Sequence, residues 1–232
     1  MFALTPERFA AGRSFDQYLD YVSSAENLRR EASEHHVRTD RGSAVRAWYE
    51  STGLSEYQAE ALRWLAQQPN GPAKVLVIAE EWSSDCRRDV PMLAHMAEAA
   101  GLELRIFNRD GDRFSGAPEP SPDESPNADL MAAFLNRKNG RTWQSVPVAA
   151  FYTKDFEYLY HYMEYPAIYE KDRIVYGHIR VQRPGETPEG SQARGEAEFM
   201  QLVASPFFRV WADAAVDEMI SALHRRVVLG SV

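Results

Sequence analysis

Trp82-Ser83-Ser84-Asp85-Cys86 puts a cysteine where thiol chemistry is usually built, in the first turn of a helix that follows a strand. A helix N-terminus carries partial positive charge, which favours a thiolate. Arg87 and Arg88 come next in sequence and would strengthen that field. Asp85 reads as a first-turn carboxylate that stabilises the helix, or as a proton acceptor for Cys86. Glu80 and Glu81, just upstream, could take the same proton if burial raised their pKa, or pair with Arg109 or Arg141. Dithiol exchange needs a second sulfur three residues before Cys86, and Ser83 stands there. Cys86 is the only cysteine, so no internal disulfide can form. Three readings of the site follow. Cys86 is a reactive monothiol that forms a mixed disulfide with glutathione or a protein. Or it is a buried structural thiol, the common fate of a lone cysteine. Or the chemistry belongs to hydroxyls, with Ser83 and Ser84 holding the thiolate of a small thiol.

The elements that must position these residues are legible on either side. Val75-Leu76-Val77-Ile78-Ala79 is an apolar run that predicts a buried strand over Lys74–Glu80. A helix follows from Asp85 and stops at Gly101. Alternating Leu102, Leu104 and Ile106 predict a second strand to Asn108. The proline-rich, acidic run 115–127 reads as a surface loop, and Asp129–Asn136 as a short helix. Val146–Tyr152 and Phe156–Met163 read as a closing pair of strands. The order is β-α-β-α-β-β, with parallel pairing through a right-handed crossover and a final hairpin.

Helices flank this centre. Thr5-Pro6-Glu7 is a helix start, and Ser14-Phe15-Asp16-Gln17 fits a capping box. The polar stretch Asn27–Val37 reads as a surface helix, and Ser43–Glu50 and Ser55–Gln68 as two more. After Tyr165-Pro166 the chain returns to helix, with 183–191 a loop and a long helix over Glu196–Arg226 broken near Ser205-Pro206. The layout is an N-terminal helical extension (1–71), an α/β core (72–164) and a C-terminal helical region (165–232).

Composition narrows the function classes. The chain has 26 Lys and Arg against 34 Asp and Glu, net −8, with no basic stripe, which disfavours a nucleic-acid partner. No apolar run approaches the ~20 residues of a membrane span, and the N-terminus lacks the features of a signal peptide. A lone cysteine fits a reducing cytoplasm. The six histidines show no metal-ligand spacing, and no phosphate-binding glycine motif is present. The aromatic tail residues Phe199, Phe207, Phe208 and Trp211 fit a core or a homodimer contact.

Four motifs in order carry a family resemblance. They are Glu80-Glu81-Trp82-Ser83-Ser84-Asp85-Cys86 leading to Val90-Pro91, then Arg109-Asp110 closing a strand, then Asn139-Gly140-Arg141, then Val146-Pro147-Val148 opening another. Together they resemble the thioredoxin superfamily, and more narrowly a bacterial branch of thioredoxin-like proteins with an N-terminal helical extension. The resemblance runs from Leu19 to Tyr160.

It implies a thioredoxin-like core in which Pro147 follows a cis peptide bond and faces the cysteine turn. The backbone of Val146 would then be open to an extended peptide or a thiol. Trp82, Ser84, Val146 and Pro147 are the implied binding residues, and Cys86, Ser83 and Asp85 the implied reactive ones. The departures are specific. Ser83 holds the place of the family's nucleophilic cysteine, Cys86 the place of the resolving one, and Val77 the place of a buried carboxylate. The implied functions are a monothiol thiol-disulfide oxidoreductase acting through Cys86, a redox-inactive peptide- or thiol-binding module, or a glutathione-transferase-like thiol binder using Ser83. None needs a resident cofactor or metal; glutathione or another small thiol would be a co-substrate. The expected partner is a small thiol or an extended peptide of another protein.

Overall fold

A computed structural model describes residues 4–33 and 36–230. The N-terminal arm comprises α1 (Pro6–Ala10), α2 (Phe15–Val22) and α3 (Ala25–Leu28), a two-stranded hairpin of β1 (Glu31–Ser33) and β2 (His36–Val37), then α4 (Gly42–Ser51) and α5 (Glu56–Ala66). The start signals act as expected. The Thr5 hydroxyl accepts the Arg8 amide, and Ser14 and Gln17 form the reciprocal capping box. The surface helix expected over Asn27–Val37 does not form. The segment has no apolar stripe to bury as a helix. Instead Arg30 and Arg38 are drawn inward, and the Glu31 amide donates to the Asp112 carbonyl at 2.9 Å. Positions 34 and 35, within that expected helix, lie outside the described residues.

The core follows the expected order: β3 (Lys74–Ala79), α6 (Ser84–Ala100), β4 (Glu103–Asn108), α7 (Ala128–Ala132), a small hairpin of β5 (Asn136–Lys138) and β6 (Arg141–Trp143), then β7 (Val148–Tyr152) and β8 (Tyr158–Met163). The sheet order is β4-β3-β7-β8. Strand β3 pairs in parallel with β4 and antiparallel with β7, and β7 with β8. Because β3 is central, its side chains from Val75 to Ala79 are fully buried, as a two-sided strand requires. Gly101, at φ 67°, ends α6 in the left-handed conformation, and the Leu102 amide caps back to Ala97 at 2.9 Å.

The arm covers the exposed edge of β4. Arg13 exchanges two backbone hydrogen bonds with Ile106, at 2.8 and 2.9 Å, which blunts an otherwise open edge. Gly12 makes the approach close enough, since a Cβ there would lie 2.6 Å from the Phe107 ring.

After β8 the chain forms a short 3₁₀ turn (Ala167–Tyr169) and a π-helical segment (Asp172–Ile179), then α8 (Pro188–Val203) and α9 (Phe207–Leu229). Helix α8 starts earlier than expected because Thr187-Pro188 repeats the Thr5-Pro6 start: the Thr187 hydroxyl accepts the Gly190 amide. Trp211, Ala212, Ala215, Val216, Met219 and Leu223 of α9 are buried. No described helix is long and apolar enough to cross a membrane.

Candidate functional site

Strand β3 delivers Glu80 and Glu81 to a tight turn, and Ser83 closes that turn as the N-cap of α6. The Ser83 amide donates to the Glu80 carbonyl at 3.1 Å, and the Ser83 hydroxyl accepts the Cys86 amide at 3.4 Å. The geometry points Cys86 inward. Its side chain is fully buried, and Sγ accepts the Glu80 amide at 3.4 Å. Burial pushes the thiol well above its ordinary pKa, outweighing the Glu80 amide and the Ser83 hydroxyl, while Asp85 and Glu80 push it further the same way. The thiol is therefore neutral at physiological pH.

The arginines expected to depress that pKa are committed elsewhere. Arg87 donates to the carbonyls of Glu81 and Trp82, both at 2.8 Å. Arg88 is fully buried and donates twice to Asp89, both at 2.7 Å, and once to Asp85 at 2.8 Å. Asp85 also accepts Lys171 at 2.5 Å, and Lys171 reaches Glu164 at 2.9 Å. Burial disfavours the charged form of Lys171, but Asp85 and Glu164 outweigh it and hold the amine above its usual pKa. Asp85 is thus held in ion pairs between α6 and the C-terminal segment. Burial lifts the Asp89 carboxyl to about 6 despite Arg88, and Tyr162 donates to it at 2.9 Å.

Glu80 and Glu81 pair with arginines of the arm, not with Arg109 or Arg141. Arg30 donates to Glu80 at 2.8 Å, and Arg38 donates to Glu80 at 2.6 Å and to both Glu81 oxygens at 2.7 and 2.8 Å. Arg109 instead binds Asp110 at 2.7 Å and the Gln144 carbonyl at 3.0 Å. Its guanidinium lies 5.0 Å from the Trp82 ring and 4.9 Å from that of Phe114. The Trp82 indole donates to Asp110 at 3.1 Å.

The Val146–Pro147 peptide is cis, as the resemblance implied. Neither the N–H nor the C=O of Val146 makes a backbone hydrogen bond among the described residues. Trp82, Ser83, Asp85 and Val146 line one cleft of about 850 Å³, whose far wall is the β5–β6 hairpin and the loop at Phe114–Pro118. Ser84, Cys86 and Pro147, also expected at the site, do not line it. Lys171 and Tyr176 close it from the C-terminal segment. The hairpin was not anticipated, although Asn139-Gly140 is a strong two-residue turn signal; both residues have positive φ, 53° and 71°. Arg30, Arg38 and Lys171 were missed because their partners lie 42 to 86 residues away in sequence.

Residues 29–116 match the thioredoxin family model. That match, the sheet order and the cysteine turn described above give the chain a thioredoxin-like fold with helical extensions. No curated protein matches it. Two solved structures share its overall fold. A protein of unknown function from Pseudomonas aeruginosa has a TM-score of 0.50 and 15% identity over 95% of this chain and 98% of its own. An HIV epitope-scaffold has a TM-score of 0.52 and 15% identity over 97% and 98%.

Proposed function

We infer that this protein is a thioredoxin-like binding module in which Cys86 is structural and the cleft beside it holds the ligand. One observation carries the reading: the sulfur is sealed at 0% exposure, while Ser83, Trp82 and Val146 border the open cleft. A monothiol exchange needs an exposed thiolate, and both conditions are opposed by the burial of Cys86 and the upward push on its pKa. The cleft has a volume in the range of ligand sites, roughly 300–1,000 Å³. The free backbone groups of Val146 suit an extended peptide, which pairs through its main chain. The Ser83 oxygen accepts the Cys86 amide and leaves its O–H to donate to a ligand thiolate or carbonyl, so a small thiol peptide fits the same seat.

Two measurements on the native chain test this reading. Incubation with glutathione disulfide, followed by intact-mass analysis, should give no adduct. S-Methylglutathione, which cannot form a disulfide, should shift the amide resonances of Ser83 and Val146 in a titration of the isotope-labelled protein. A glutathione adduct on the native chain, or unmoved resonances at the cleft, would overturn the reading.

A further inference from the structure

Trp82 lines a second cleft as well as the first. This one has a volume of about 840 Å³ and runs between the arm at Val37–Arg41 and the face of α8 that carries Phe199 and Met200. Trp82 therefore borders two depressions, one built on the core and the other on the two extensions.

Both depressions are cationic in a protein of net charge −8. The second is bordered by Arg41 and Arg180 against Glu196. The first is bordered by Arg109, Arg141 and Lys171 against Asp85 and Glu164; Lys171 pairs with both of those acids at 2.5 and 2.9 Å and Arg109 with Asp110 at 2.7 Å, which leaves Arg141 as the cation of this cleft without a carboxylate partner. Among the described residues Arg41, Arg141 and Arg180 have no carboxylate within ion-pair distance. Arg109 adds an unmade bond: its side chain is only 6% exposed, yet Nη2 has no partner. A buried guanidinium hydrogen left unpaired is costly, and a ligand acceptor would satisfy it.

The second cleft also has an apolar component. Val37 is 79% and Met200 53% exposed beside Phe199. A small anion would use the arginines and leave these side chains in water. An extended chain bearing both acidic and apolar residues uses both. We propose that one acidic, extended peptide segment of a partner protein lies across Trp82, with its main chain at Val146, its carboxylates toward the arginines of both clefts and an apolar side chain against Val37 and Met200. The proposal rests on the reading of the first cleft as a ligand seat and adds the second cleft and the charge of the ligand.

The test uses the full chain and two blocked peptides, one alternating glutamate and leucine and one alternating glutamine and leucine. Each is titrated into isotope-labelled protein while amide and indole resonances are followed. The glutamate peptide should shift the Trp82 indole and amides on both sides of it, those of Ser83 and Val146 and those of Arg41 and Met200. The glutamine peptide should bind at least about tenfold more weakly. The double variant Arg41→Ala/Arg180→Ala should weaken the glutamate peptide about fivefold or more at an unchanged melting temperature. Equal affinity for the two peptides would overturn the proposal. So would shifts confined to Ser83 and Val146, an outcome that keeps the first cleft as a ligand seat. Unmoved resonances on both sides of Trp82 would overturn the proposal and that reading together.

Discussion

Two buried clusters of charge flank the turn from Glu80 to Cys86, one built with the N-terminal arm and the other with the C-terminal segment. On the arm side Arg30, Arg38 and Arg109 face Glu80, Glu81 and Asp110, three charges against three. On the other side Arg88 and Lys171 face Asp85, Asp89 and Glu164, two against three. The first cluster is closed by guanidinium groups that stay charged at any physiological pH. The second holds a surplus carboxylate, and Asp89, the most deeply buried of its acids, has its pKa lifted to about 6 by burial. The arm cluster is balanced in charge, although burial and Glu80 raise its Asp110 against the pull of Arg109, while the C-terminal cluster carries the surplus carboxylate and takes up a proton at Asp89. Both fasten an extension to the same short turn.

Removing the central cation of each cluster should have the largest effects. Arg88→Leu leaves Asp89 without its bidentate partner and should cost about 4–5 kcal/mol, in the range for breaking a buried pair. Arg38→Leu strands Glu81 while Glu80 keeps Arg30, so about 3 kcal/mol is expected. Denaturant unfolding of both variants measures this. Equal and small losses would mean that neither cluster holds its extension.

The pH dependence sharpens the contrast. A carboxyl whose folded pKa is raised binds its proton more tightly in the folded state. Its contribution is fully present below the unfolded value near 4 and is lost as pH rises through about 6. The native protein should therefore lose stability relative to Asp89→Asn across that window, by on the order of 2–3 kcal/mol. A stability difference that stays constant between pH 4 and pH 7 would remove the assignment. The corresponding change on the arm side, Asp110→Asn, separates any slope that belongs to the arm cluster, where burial and Glu80 also raise a carboxyl.

The smallest of these effects concerns the turn itself. Ser83→Ala deletes the N-cap acceptor of α6 and should cost about 1 kcal/mol, with Cys86 still buried. A much larger loss would show that Ser83 holds the turn beyond capping.

These contrasts also explain what the sequence could and could not reveal. The run Val75–Ala79 and the Gly101 stop are local signals, and they place β3 and the end of α6 correctly. Thr5-Pro6 and the Ser14–Gln17 box do the same for the arm. The clusters have no local signature. Lys171 meets Asp85 across 86 residues, and Arg38 meets Glu80 across 42. Only the folded arrangement shows that Arg87 and Arg88 turn away from the thiol they follow in sequence. The stretch Asn27–Val37 read as a polar helix because its buried side chains, Asn27 and Arg30, are polar ones that composition assigns to the surface, as is Arg38 just beyond it.

In the proposed reading Cys86 is a sealed structural thiol beside a binding cleft. Native-state alkylation of Cys86, followed by mass across a denaturant series, tests it most directly. The thiol should react on the order of 10³-fold or more slowly than in the unfolded chain, with protection falling in step with global stability. Alkylation of the folded protein at the rate of a free cysteine, unaffected by denaturant, would contradict the account.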